Sequence, residues 1–380
     1  MKVTLKQIAE KTGVSINTVS LALRGMSSIS DETRERVVRA ARELGYHKQL
    51  KTPAGRRNLC LVSTGMHLQD SYFYMEFYQL FLSYASAHGY TMLAMEAEYF
   101  QNNPAEIRER LEQSAIGGIL SLGDMKEEMF QNLYQSGLPV VAVGARYYKS
   151  PVCTFIEDNQ MAAHQAVRFL LESGYTRIGF AGSPLHSIAF SERYFAFRQA
   201  CYTAGLSVRP DDEWLELMPE HGVEENERQI LARLYAGADL PEAFFCAHDL
   251  LAISMMKVFR QQGLRVPQDV ALIGVDYNPI GQIMEPRLTS VDVCCRAQAE
   301  AAVRKLIAFI ESGTYSPARI LLPTVLRVGG TVQDRRKQDR GCPKVSGISG
   351  DFFYWKFGNM NINFIGIMRF HKKFRNVLLI

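Results

Sequence analysis

The sequence predicts an all-α helix-turn-helix head followed by an α/β core of two doubly wound parallel-sheet subdomains. Three observations predict it. Three short helical patterns fill the first 46 residues, the first two separated by a turn at Gly13. Beyond Asn58, short apolar runs alternate with amphipathic helical stretches. That alternation occurs as two successive sets.

In the head, Thr4 with Gln7 fits a capping box, Leu5, Ile8 and Ala9 give the first helix (4–12) an apolar face, and Gly13 ends it. Ser15 can cap the second helix (14–23), whose inner side carries Val19, Ala22 and Leu23. Val37, Val38, Ala41 and Leu44 form the buried stripe of the third (31–44), leaving Arg34, Arg36, Arg39 and Arg42 for solvent or phosphate. A plain three-helix bundle satisfies the same pattern. Charge separates the readings. Residues 1–57 hold 12 Lys/Arg against 5 Asp/Glu, and residues 335–380 hold 10 against 2. The stretch 58–334 carries a net −11. A basic head on an acidic body suits contact with DNA through the head.

In the core, the first set of strands is expected near 59–63, 90–95, 116–120 and 139–143, with helices near 73–88, 104–113 and 125–136. The second set has strands near 176–181, 214–217, 243–247 and 270–274, with helices near 159–172, 191–204, 222–236 and 248–262. Ligands of doubly wound sheets sit at the carboxyl ends of the strands. Asp70, Tyr72 and Phe73 follow the first strand, Arg146 the fourth, His248 the 243–247 strand and Asp276 the 270–274 strand; Arg193 opens the helix after 178–181. Charged groups with aromatic faces suit a sugar or another small polar molecule. The blander readings are a salt bridge between Arg193 and Asp276, core roles for Tyr72 and Phe73, and a helix cap at His248.

Other classes fit poorly. There is no GxGxxG after the first strand, no GxxxxGK[ST] and no GxSxG, so no enzyme, cofactor or metal is expected. Seven cysteines, at 60, 153, 201, 246, 294, 295 and 342, show no CxxC spacing and suit a reducing cytosol; Cys294 and Cys295 read as ordinary strand and loop residues. No run of 18 apolar residues and no apolar leader is visible, so a soluble, cytoplasmic chain without membrane contact is expected.

The segments VTLKQIAEKTGVSINTVSLALRG, ISDETRERVVRAARELGY, ESGYTRIGFAG, ERYFAFRQA, AHDLLAISMMKVFRQQGLRVPQDVALIGVD and PRLTSVD, in this order, resemble the LacI/GalR family of bacterial transcription regulators over about residues 3–331. The resemblance implies a ligand-responsive repressor, a homodimer on double-stranded operator DNA, with a periplasmic-binding-protein-like core that takes a small effector, carbohydrate by expectation. It implies DNA contacts at Thr4, Ser15, Ile16, Asn17, Thr18, Leu21, Arg24, Ser30, Thr33, Tyr46 and Leu50, and effector contacts at the seven rim residues named above. His248 stands where the family often has Asn. The implied domains are a head at 1–47, a hinge at 48–57 and a core at 58–331. One lobe takes 58–157 and 291–323, the other 158–290 and 324–331, with the return crossing at Val291–Ser312. Two features depart from the family. Pro53 and Gly55 work against a hinge helix, leaving Leu50 as the only candidate wedge. Residues 332–380 form a basic tail read as disordered or aberrant. The alternatives are a solute receptor without a transcriptional role and a regulator of a nucleobase-like co-repressor.

Overall fold

The computed structural model describes residues 4–23, 29–44, 58–64, 72–101, 104–219, 222–237 and 239–337. The head holds α1 (Leu5–Thr12), α2 (Ile16–Leu23) and α3 (Asp31–Glu43). Ile8, Ala9, Val19, Ala22, Val37, Ala40 and Ala41 are its buried centre. The capping box at Thr4 and Gln7 forms, and Gly13 turns the chain at φ 69 with its N–H on Ala9 O. The Ser15 hydroxyl accepts from Thr18 N at 3.0 Å, so α2 starts at Ile16, two residues later than the apolar pattern suggested. Arg34 departs from the expected solvent-facing set. It is half-buried and donates to Ile29 O at 3.1 Å, tying α3 to the loop before it.

The core contains two six-stranded sheets. The first has the order β11–β5–β4–β3–β1–β2, from β1 (Asn58–Ser63), β2 (Thr91–Glu96), β3 (Ile116–Leu122), β4 (Val140–Val143), β5 (Cys153–Glu157) and β11 (Arg319–Leu322), all parallel. The second has the order β12–β10–β9–β8–β6–β7, from β6 (Ile178–Ala181), β7 (Glu213–Trp214), β8 (Ala243–Cys246), β9 (Ala271–Val275), β10 (Thr289–Asp292) and β12 (Val325–Arg327). Only the β10–β12 pair is antiparallel. Alternate residues explain the two-sided burial. Leu59 and Leu61 of β1 enter one core while Cys60 and Val62 enter another. Ala243 and Phe245 of β8 likewise face away from Phe244 and Cys246. Strands covered on both faces must be apolar throughout, which is why these runs lack polar alternation.

Helices cover those faces: α4 (Tyr72–Ala87), α5 (Pro104–Gln113), α6 (Glu127–Gln135), α7 (Asn159–Glu172), α8 (Ile188–Thr203), α9 (Gly222–Tyr235), α10 (Asp249–Gln261), the short α11 (Pro279–Ile283) and α12 (Cys295–Ser312). The chain passes between sheets three times, after β5, after β10 and after β11. Val291 pairs with Val275 and Leu326, so it stays in the second sheet and the return crossing falls after Asp292 rather than at Val291. The expected 214–217 strand shortens to two residues, because only Glu213 and Trp214 reach β6. Cys294 and Cys295 are not strand residues: Cys294 precedes α12 in the left-handed region at φ 56, and Cys295 opens that helix.

The tail boundary also moves. Val332 is buried, Gln333 N donates to Tyr175 Oη at 3.3 Å and Arg335 N to Ser173 O at 2.9 Å. The Arg335 guanidinium lies 4.3 Å from the Tyr175 ring and pairs with Glu242. Residues 332–336 therefore close the second lobe instead of starting a loose tail. Residues 338–380 lie outside the described residues.

Candidate functional site

Among the described residues, the candidate functional side chains lie in two places. On the head, Thr4, Ser15, Ile16, Asn17 and Ser30 are exposed, while Thr18, Leu21 and Thr33 are half-buried. Thr4, Ser15 and Ser30 each stand immediately before a helix and accept from the backbone N–H three residues on. The Ser15 hydroxyl also meets Thr18 Oγ1 at 2.8 Å, and Ser30 Oγ meets Thr33 Oγ1 at 2.9 Å. On α2 Ile16, 49% exposed, and Asn17 face solvent, while Val19 and Ala22 are buried. Arg24, Tyr46 and Leu50 lie outside the described residues.

In the core, Glu157 ends β5, Asp124 lies two residues after β3, Arg146 three after β4, His248 two after β8 and Asp276 one after β9. Arg193 does not open its helix. Ser187 caps α8, and Arg193 lies in its second turn. There it is buried and joins the lobes. Its Nε donates to Asn159 Oδ1 at 2.8 Å and its Nη1 to Ala247 O at 2.6 Å. Its Nη2 lies 3.3 Å from Glu157 Oε1 and 3.4 Å from Asp276 Oδ1. The Arg193–Asp276 salt bridge of the blander reading thus exists, within a larger cluster. Asn159 Nδ2 donates to Glu192 Oε2 at 3.0 Å, and Glu192 pairs with Arg146. Asp124 accepts from Ile188 N at 3.3 Å.

This cluster shifts its own titration. Burial pushes the Asp276 carboxyl up to about 7, with Arg193 opposing and Glu157 adding to the rise. Burial also raises Asp124; the Ile188 N–H opposes this, and Glu157 and Glu192 raise it further. Tyr74, in the first turn of α4, is raised by burial and by Asp124, Glu157 and Asp276. His248 is held down to about 3 by burial, with His186 and Arg193 adding to the fall. Its Nδ1 accepts from Leu250 N at 3.1 Å, so it caps α10 as the blander reading had it. Its buried Nε2 has no partner among the described residues.

Asp276 owes its aim to a second buried network. Asp276 and Tyr277 are successive non-glycine residues at positive φ, 102 and 55, an arrangement that needs support from its surroundings. Tyr277 N donates to Ser290 Oγ at 3.0 Å, Ser290 Oγ to Asp249 Oδ1 at 2.7 Å, and Asn278 N to Asp249 Oδ2 at 2.6 Å. A Cβ at Gly274 would overlap the Asp249 carboxylate, so only glycine lets that carboxylate approach.

Of the rim residues named from sequence, Arg146, Arg193, His248 and Asp276 gather here. Phe73 does not: its ring packs edge-on against Phe77 and Tyr74, beside the core. Asp70 and the Tyr72 side chain lie outside the described residues. Sequence reasoning missed Tyr74, Asp124, Glu157, Asn159 and Glu192. The strand-end rule would have found Asp124 and Glu157 had β5 been recognised and β3 carried to its end. Among the described residues no three His, Cys, Asp or Glu are grouped as metal ligands, and no helix is long and apolar enough to cross a membrane.

A three-helix head and a two-lobed core with its polar cluster between the lobes define a regulator class in which DNA recognition is joined to a binding core. Comparison with known proteins agrees. Residues 4–49 match the family described as bacterial regulatory proteins, lacI family, and residues 167–332 match the periplasmic binding protein-like domain. The chain is 29% identical to the HTH-type transcriptional regulator CelR of Thermobifida fusca, over 86% of this chain and 97% of that protein. It is 26% identical to the HTH-type transcriptional repressor PurR of Vibrio vulnificus (strain CMCP6), over 76% and 86%. A solved CelR–cellobiose complex superposes with a TM-score of 0.63 at 26% identity, covering 87% of this chain and all of that one. A Lac repressor dimer bound to operator and the anti-inducer ONPF superposes at 0.62 and 21% identity, covering 88% of this chain and 100% of that one. The chain belongs to the LacI family of bacterial regulatory proteins and is a DNA-binding transcription regulator. These relatives are regulators rather than enzymes.

Proposed function

We propose that this protein is a cytoplasmic, non-enzymatic repressor that binds a two-fold-related operator as a homodimer and is switched by a small carbohydrate held between its lobes. The observation that carries the reading is Arg193, which joins Glu157 at the end of one sheet to Asp276 at the end of the other. A ligand that rearranges this junction binds open and closed lobes unequally, the requirement for any switch. Dimerisation follows from the few base pairs one head reads. Cellobiose in the CelR complex supports a sugar. The second reading is a nucleobase-like co-repressor, which no ligand of the relatives named above supports as cellobiose supports a sugar. The proposed effector contacts are Arg146, Arg193, His248 and Asp276, joined by Glu157, Asn159, Asp124 and Tyr74, with Asp70 and Tyr72 kept from the sequence. The proposed DNA contacts are the eleven head and hinge residues named above. The proposed domain division keeps the head at 1–47 and the hinge at 48–57, and ends the core at 336.

The test is selection of bound sequences from a random DNA pool by the full-length protein, followed by affinity measurements with and without sugars and purines. Arg193→Ala is a poor probe, because it leaves Glu157 and Asp276 buried without their counter-ion. Asp276→Asn keeps the shape. It is expected to lose the ligand response while retaining ligand-free DNA affinity. A variant that still responds shows that the effector binds elsewhere.

A further inference from the structure

The interlobe cluster also constrains the charge of its ligand. This step rests on the proposed ligand-binding role of that cluster. Among the described residues, its carboxylates are Asp124, Glu157, Glu192 and Asp276, and its guanidiniums are Arg146 and Arg193, with the His186 ring close enough to act on Asp124. Each guanidinium already faces a carboxylate, although Arg146 keeps one buried N–H, Nε, without a partner among the described residues. Arg193 is shared by Glu157 and Asp276 and also donates to Asn159 Oδ1 and Ala247 O. Arg146 is held by Glu192.

His248 supplies no positive charge either. Its Nδ1 accepts the Leu250 N–H, which puts the proton of the neutral ring on Nε2. That nitrogen is buried without a partner and is therefore a neutral donor. Its ring lies 5.4 Å from Phe190, whose face is also near Arg193. The raised carboxyls point the same way: burial already pushes Asp124 and Asp276 toward their protonated forms, so further negative charge is disfavoured. The fitting ligand donates hydrogen bonds to carboxylates and accepts one from a neutral imidazole. Hydroxyl groups do both.

We infer that the effector is an uncharged polyhydroxyl compound, and that phosphorylated or carboxylated derivatives of the same skeleton are rejected by the Asp124–Glu157–Glu192–Asp276 carboxylates, which outnumber the two guanidiniums set among them in the described residues. An anion at either guanidinium would have to share it with the carboxylate already held there and lie beside the other buried carboxylates.

The test uses neutral mono- and disaccharides, each paired with its anionic derivative: glucose with glucose 6-phosphate, cellobiose with cellobionic acid. Full-length protein is followed by thermal shift and by affinity for its selected DNA. The expected result is that a neutral member acts and its anionic partner binds about tenfold or more weakly. Asp124→Asn should narrow that gap by improving the anion. An anionic member that binds as well as its neutral partner overturns this inference and leaves the ligand-switch reading intact. Specific DNA binding that no compound of either charge alters, with no thermal shift, overturns both.

Discussion

Ser290 illustrates how one hydroxyl can hold a residue of the interlobe cluster in place. It accepts from Tyr277 N and donates to Asp249, joining the turn that bears Asp276 to the start of α10. Ser290→Ala leaves a backbone donor and a buried carboxylate short of partners, a loss of about 1–3 kcal/mol. Urea unfolding should show that loss, and ligand response should weaken with it. His248 gives a pH signature. Its folded value of about 3 lies below its ordinary 6.5, so its contribution is fully present above pH 6.5 and is lost as pH falls toward 3. Asp276 has the opposite sign. Raised from 3.8 to about 7, it contributes most below pH 3.8 and loses that contribution as pH rises through 7. His248→Asn keeps a capping side chain and removes the titration. Unfolding midpoints from pH 7 to 4 should therefore fall less for this variant than for the wild type. Equal slopes would mean that His248 is solvated and charged in the folded protein.

At the level of elements, the head helices are short enough that their ends matter. An eight-residue helix is marginal by itself. The two reciprocal bonds of Thr4 and Gln7 fix the start of α1, and Thr4→Ala is expected to cost about 1 kcal/mol of head stability, read by calorimetry. On α2, Asn17 is exposed, so its loss should leave folding unchanged. If it reads a base edge, Asn17→Ala weakens DNA binding by about 1–3 kcal/mol and relaxes one position of the selected sequence. Equal loss on all sequences would make it a phosphate contact instead.

For the whole molecule, the last crossing and the closing segment decide where the protein can be cut. Truncation after Thr331 removes Val332, Gln333 and Arg335, and with them the contacts to Tyr175, Ser173 and Glu242. Two lost backbone bonds and one half-buried charge contact amount to about 2–4 kcal/mol, visible as a lower Tm. Truncation after Lys337 spares all of them and should leave the Tm unchanged. The shorter protein is thus the wrong reagent for asking whether the basic stretch beyond 337 contributes to DNA binding. The longer one answers it through the slope of affinity against salt.

Local signals carried the head. The Thr4–Gln7 box, Gly13 and Ser15 act within three or four residues of themselves, and so could be read directly from the chain. Strand identity was legible for the same reason wherever an apolar run stood between turn signals, as at 59–63 and 243–247. The short β5, β10, β11 and β12 escaped because their strand character comes from partners 12 to 165 residues away, which no local pattern records. The site divided along the same line. Arg193, His248 and Asp276 were found because strand ends and family motifs mark them. Glu157, Asn159, Asp124 and Tyr74 belong to the site only because the lobes bring them to Arg193 and Asp276. The sequence by itself determined a DNA-binding head, an α/β core and half of the polar cluster, since capping, periodicity and charge are local properties. Tertiary structure decided the rest, including the end of the core at 336 and the pairing of both guanidiniums, because long-range packing alone sets which buried charges meet.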